Sequence, residues 1–169
     1  MPDFVKSYVR NVDAFNRRVG RATMYLILVM MGILLSSSLS KTFLLPSMWT
    51  LEMAQFVMAA YYLLGGAYSL QMDSHVRMDL VYGRWSPKTK ATVDAVTIIL
   101  LFVYLGFLLY GSISSTTYAF RFNETSYSSW SPYMAPIKVI MTIGIFLTLL
   151  QTTSIFLKDL AVAIGRPIQ

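Results

Sequence analysis

Four stretches of this chain lack Asp, Glu, Lys and Arg over about the length of a bilayer-crossing helix, and that pattern constrains its fold more than any other. They run between Arg21 and Lys41, between Glu52 and Asp73, between Asp94 and Arg121, and between Lys138 and Lys158. A helix rises about 1.5 Å per residue, so about twenty apolar residues cross a hydrocarbon core about 30 Å thick. No water is available there, and each backbone N–H and C=O must be bonded within the segment, which selects helix. With 56% hydrophobic and 13% charged residues the chain is also too oily for an ordinary soluble core. The expected fold is an all-α integral membrane protein, a single membrane domain over residues 1–169. Its transmembrane helices are expected at 22–40, 53–72, 92–112 and 136–157. The third interval turns polar after Tyr110, so its helix is expected to end near Gly111 or one turn later. Ser86-Pro87 and Ser131-Pro132 predict the starts of the third and fourth helices, because serine caps and proline fits a first turn.

Lys and Arg are distributed unevenly between the loops. Five lie before the first span, four in the middle loop and two in the tail, against three (Lys41, Arg121, Lys138) in the other two loops. The positive-inside rule then places both termini in the cytoplasm. The same distribution explains the net charge of +6 as topology, and no nucleic-acid partner is expected. The N-terminal segment has no short apolar core followed by a small-residue cleavage site, so the first apolar run is expected to be retained. Within residues 3–19, Phe4, Val5, Tyr8, Val9, Val12, Phe15 and Val19 recur at three- and four-residue steps, with Lys6, Arg10, Asp13 and Arg17 opposite. This predicts an amphipathic helix at the membrane surface, with Phe4, Tyr8 and Phe15 at the acyl boundary and Arg10, Arg17 and Arg18 toward anionic headgroups. It serves either as a topology anchor or as a dock for a partner subunit. The segment from Ser112 to Ala135, rich in Ser, Thr, Tyr and Trp, reads as a wet interfacial loop, and its Asn123-Glu124-Thr125 sequon carries no meaning in a bacterial inner membrane.

Residues that carry chemistry are scarce. There is no cysteine and one histidine, so no metal or cofactor site is expected. The spans contain hydroxyls, tyrosines, Gln55 and Gln151, with charge only at their ends, Glu52 near the outer and Asp94 near the inner interface, and they show no internal proline and no repeated half of the kind an autonomous carrier shows. Glu52, at the start of the second span, has three readings: a helix-start carboxylate favoured by the helix dipole, a contact with another subunit, or a proton carrier. Two small-residue stripes, Gly32/Ser36/Ser40 and Gly144/Thr148/Thr152, allow close helix approach, either within the bundle or against a partner. The 11 methionines read as pliable packing. His75, Arg77 and Asp79 are two residues apart and diverge on a helix, so by composition they form a solvated loop.

The order Trp49-Thr50-Leu51-Glu52, an apolar helix through Gly65 and Gly66, and then His75-Val76-Arg77-Met78-Asp79-Leu80 resembles the small membrane subunit of tripartite ATP-independent periplasmic (TRAP) transporters. The chain length, four spans and N-terminal amphipathic helix agree with that family, and Trp130 to Ile137 is a looser match to the start of its last helix. Leu51 stands where members often carry a second acidic residue, which removes any argument from paired carboxylates. The resemblance implies a bacterial or archaeal inner-membrane complex. In it a periplasmic substrate-binding protein captures an organic acid, and a large subunit carries it with sodium by an elevator movement. The small subunit is a non-enzymatic scaffold packed on that large subunit. By resemblance, Trp49, Glu52, His75, Arg77 and Asp79 would lie at the partner interface. Two rivals stand beside it: an autonomous proton-coupled exporter using Glu52, and a haem- or quinone-binding anchor, which a single histidine serves poorly.

Overall fold

A computed structural model of the chain describes residues 3–43, 45, 47–72 and 87–163, and within them the protein is all-helical. Helix α1 spans Asp3–Met24, α2 Leu26–Phe43, α3 Thr50–Gln71, α4 Pro87–Phe122 and α5 Ala135–Ala163. His75, Arg77 and Asp79 lie outside the described residues.

Three stretches are long and apolar enough to cross a membrane: Phe4–Phe43, which contains α1 and α2, Thr97–Phe122 in α4, and Ala135–Lys158 in α5. Helix α3 is as long as a span, at 22 residues, but its tyrosines, Gln55, Gln71, Gly65 and Gly66 keep it out of that group. Its position offsets its polarity, since α1, α2 and α5 all pack on it, burying Ala54, Ala60 and Ala67. Leu63 of α3 meets Gly144 of α5, and Gly66 meets Thr148, so α3 and α5 run in the same direction. Helix α2 runs against α3, pairing Ser37 with Thr50, and α4 runs against α5, pairing Ser112 and Thr116 with Thr142. Only 6% of the apolar window in α4 is buried, against 33% in α5, so α5 is central and α4 lies at the edge.

The long helix at the N-terminus breaks at Tyr25. Its N–H bonds to the carbonyl of Ala22, three residues back rather than four, and this tightened turn separates α1 from α2.

Helix α4 continues to Phe122, well past the end near Gly111 that its polar composition suggests. Three of the hydroxyls that give this segment its wet composition bond within the helix or to α5. Thr117 donates to the carbonyl of Ile113, while Ser112 and Thr116 bond to Thr142 across the α4–α5 contact at 2.5 and 2.9 Å. The helix is ended by Asn123, whose φ of 49° lies in the left-handed region, and the N–H of Glu124 closes back on the carbonyl of Ala119. The sequon asparagine is therefore a C-terminal cap.

Helix α5 begins at Ala135, with Pro136 in its first turn, and not at Ser131-Pro132. Ser131 instead has φ of 46° in a turn that folds residues 125–133 into a hairpin-like cap, with a bridge between Thr125 and Tyr133. Lys138 donates to Glu124 across the base of that cap at 2.5 Å.

Candidate functional site

The end of the bundle where α3 and α5 begin holds two of the residues expected at an interface. Trp49 precedes α3, is 43% exposed, and provides no side-chain cap. Thr50 does the local structural work instead. It is fully buried and donates to Ser37 Oγ of α2 at 3.0 Å, while its oxygen pairs with Ser47 Oγ at 3.0 Å. Glu52 sits in the first turn of α3, where the unpaired N–H groups favour a carboxylate. Its Oε2 is buried and has no hydrogen-bond partner. A buried carboxylate oxygen without a donor is costly. Its chain neighbours Met48, Trp49 and Leu51 are exposed apolar residues.

The opposite end carries a polar node that composition does not reveal. Asp13 of α1 accepts from Lys158, from Gln151 Nε2 at 3.0 Å and from Ser154 Oγ at 3.1 Å, all on α5. Asn16, one turn on, donates to Gln151 Oε1 at 2.6 Å, and Gln71 at the end of α3 donates to the carbonyl of Asp13 at 3.2 Å. Gln151, Ser154 and Asn16 are almost wholly buried. Helix α1 therefore has three sides. Val9, Asn16, Gly20 and Thr23 face the bundle, Phe4 and Phe15 are exposed on a second side, and Lys6, Arg10, Arg17 and Arg21 fall on a third. Gln151 within an apolar span is the one sequence signal for this node, since an amide in such a segment requires partners.

The two small-residue stripes separate. Gly144, Thr148 and Thr152 face inward, and Gly144 lies so close to the backbone of Leu63 that an added Cβ would come within 2.8 Å of it. Gly32 has nothing within 4 Å, Ser36 is exposed, and its hydroxyl bonds to the carbonyl of Gly32. A shallow, mainly apolar cavity of about 300 Å³ between α4 and α5 is lined by Phe107, Gly111, Ser112, Lys138 and Met141.

No group of three or more His, Cys, Asp or Glu side chains is placed to hold a metal ion among the described residues. Among the described residues two ion pairs, Asp13–Lys158 and Glu124–Lys138, brace helices and loops. The arrangement fixes helices against one another and leaves broad apolar faces for contacts from outside.

The chain matches a family model described as tripartite ATP-independent periplasmic transporters, DctQ component, over residues 30–162. The match includes α3, α4 and most of α2 and α5, and leaves out α1. Comparison with curated proteins and with solved structures returns no match. The family is a transporter component and not an enzyme family. The protein belongs to the DctQ family: it is a small permease subunit of a TRAP transporter, a multi-pass inner-membrane protein of a system that also comprises a large membrane subunit and a substrate-binding protein.

Proposed function

We propose that this subunit is a fixed scaffold that packs against the large elevator-type subunit and holds it in register in the bilayer during sodium-coupled, binding-protein-dependent uptake of an organic acid. The observation that carries the reading is the pairing of family membership with exposed apolar residues, among them Met48, Trp49 and Leu51 beside Glu52. The large subunit covers these exposed residues, with Trp49 packing at the rim of the contact and Glu52 beneath it. His75, Arg77 and Asp79 are proposed to meet that subunit at the other end.

Helix directions support four crossings. Helices α2 and α4 both run opposite to α5, so a chain that crosses in α2 and crosses the same way in α4 must return through α3. At about 33 Å for 22 residues, α3 has the length to do so. The Lys and Arg bias then places both termini in the cytoplasm, with Phe4, Tyr8, Arg10, Phe15, Arg17 and Arg18 of α1 as the surface anchor. The chain has no cysteine, which makes this directly testable. Ser7→Cys should react with a membrane-impermeant maleimide only after the inner membrane is permeabilised, whereas Ser126→Cys should react in intact spheroplasts. The reverse pattern would overturn the orientation.

The scaffold role is tested by sodium-driven uptake in proteoliposomes holding this chain alone, the large subunit alone, or both, with the binding protein outside. Uptake is expected only with both membrane subunits, and Glu52→Ala should lower it while weakening co-purification of the two subunits. Transport by this chain alone would instead establish the autonomous exporter.

A further inference from the structure

We propose that α1 and the end of α5 form a discrete binding site for the headgroup of an anionic phospholipid. A groove of about 580 Å³ runs along α1, lined by Lys6, Arg10, Arg17, Arg18 and Arg21 and closed by Lys158 of α5. Among the described side chains Asp13 is the one acid in its wall, and its oxygens are taken up by Lys158, Gln151 and Ser154. Lys6, Arg10, Arg17 and Arg18 have no carboxylate partner among the described residues, and the Nε of Arg21 reaches only the carbonyl of Arg17, at 3.4 Å.

Five cations within about four and a half turns of one helix repel one another, and the low-dielectric wall on the bundle side concentrates their field in the groove. A bound anion relieves that repulsion. Charge complementarity selects a phosphate-bearing ligand, since guanidinium groups bind phosphate with paired, directed donors. The same helix holds Phe4 and Phe15 exposed, at 80% and 54%, on the side away from Lys6, Arg10, Arg17 and Arg21, with Arg18 at the boundary between the two. A helix with aromatics on one side and cations on the other lies at the boundary of acyl chains and headgroups, so the phosphate within reach is that of a lipid.

The site rests on the surface-anchor reading of α1 but not on subunit role or sidedness. Lipid binding in detergent can therefore fail or succeed independently of the labelling and uptake experiments. The test is native mass spectrometry of the delipidated full-length chain, titrated with phosphatidylglycerol or phosphatidylcholine. Phosphatidylglycerol is expected to bind about tenfold more tightly or better, at about a fivefold gain per engaged cation. R10Q/R17Q/R21Q should reduce that preference to about twofold, R10K/R17K/R21K should retain most of it, and K41Q/R121Q, away from α1, should leave it unchanged. Equal affinity for the two lipids, or a preference that survives R10Q/R17Q/R21Q, would overturn the site. So would displacement of phosphatidylglycerol by millimolar inorganic phosphate, which would mark a free-anion site. Loss of the lipid when the large subunit is co-purified would mark a protein contact instead.

Discussion

Gly144→Ala should lower stability by about 2–3 kcal/mol and deplete folded chain in detergent. The added Cβ would lie 2.8 Å from both the carbonyl carbon and oxygen of Leu63 and 2.9 Å from its Cβ. These atoms belong to the backbone of α3 or are fixed to it, so no rotamer change relieves the clash, and α3 and α5 must move apart. Their separation spreads, because Gly66 and Thr148 meet one turn further along and Thr152 is buried beyond. Thermal unfolding followed by size-exclusion of the fluorescently tagged chain reads the effect. Gly106→Ala and Gly111→Ala in α4 serve as controls: neither Cβ would meet an atom within 4 Å, and alanine favours helix over glycine by roughly 0.5–1 kcal/mol. If Gly144→Ala unfolds with those controls, the close α3–α5 crossing is wrong.

Asp13→Ala should release α1 from the bundle while leaving the remaining helices assembled. The substitution removes the acceptor for three groups of α5 at once: the Lys158 ammonium, the Gln151 amide and the Ser154 hydroxyl. Gln151 and Ser154 are fully buried, so their donors lose a partner that water does not replace. The ion pair itself is only partly buried, with side-chain exposures of 21% for Asp13 and 35% for Lys158, so its share is smaller than that of a dry pair. The combined cost should be about 2–3 kcal/mol, concentrated in the docking of α1. Limited trypsin digestion detects it, because Arg10, Arg17 and Arg18 lie on the helix that is freed. Cleavage in α1 should accelerate at least about tenfold, the factor that corresponds to 1.4 kcal/mol of local opening. Asp13→Asn keeps one acceptor oxygen and should show roughly half the effect. Unchanged digestion of Asp13→Ala would mean that α1 is held by its other contacts, among them Val9, Asn16, the Gln71 bond to the residue 13 carbonyl and the Gly20–Tyr68 contact.

Much of the candidate interface is legible in the amino-acid order, but unevenly. The run from Trp49 to Leu80 resembles a known small subunit, and the family match over residues 30–162 makes that membership secure. Glu52 stands out as a carboxylate at the edge of an apolar run. That its Oε2 is buried without a donor, and that Thr50 ties α3 to α2, depend on how two helices meet. The two small-residue stripes are indistinguishable in sequence, because each places small groups every fourth residue. Packing separates them: Gly144 lies against a backbone and Gly32 faces open space.

The helices themselves follow from the sequence by a local requirement. Without water each backbone group must bond to its own segment, so long charge-free runs become helices whatever surrounds them. The same locality explains where composition misleads. The Ser- and Thr-rich stretch after Tyr110 has the content of a wet loop, yet it extends α4 to Phe122, because each hydroxyl can bond a carbonyl of its own helix or a hydroxyl of α5. Which faces turn inward, that α1 docks through Asp13 on an element about 140 residues away, and that α3 is wrapped by three neighbours, are set by contacts between distant segments. Tertiary structure alone decided those features, because close approach depends on the shapes of both helices and a buried polar group depends on a partner that its own segment does not contain.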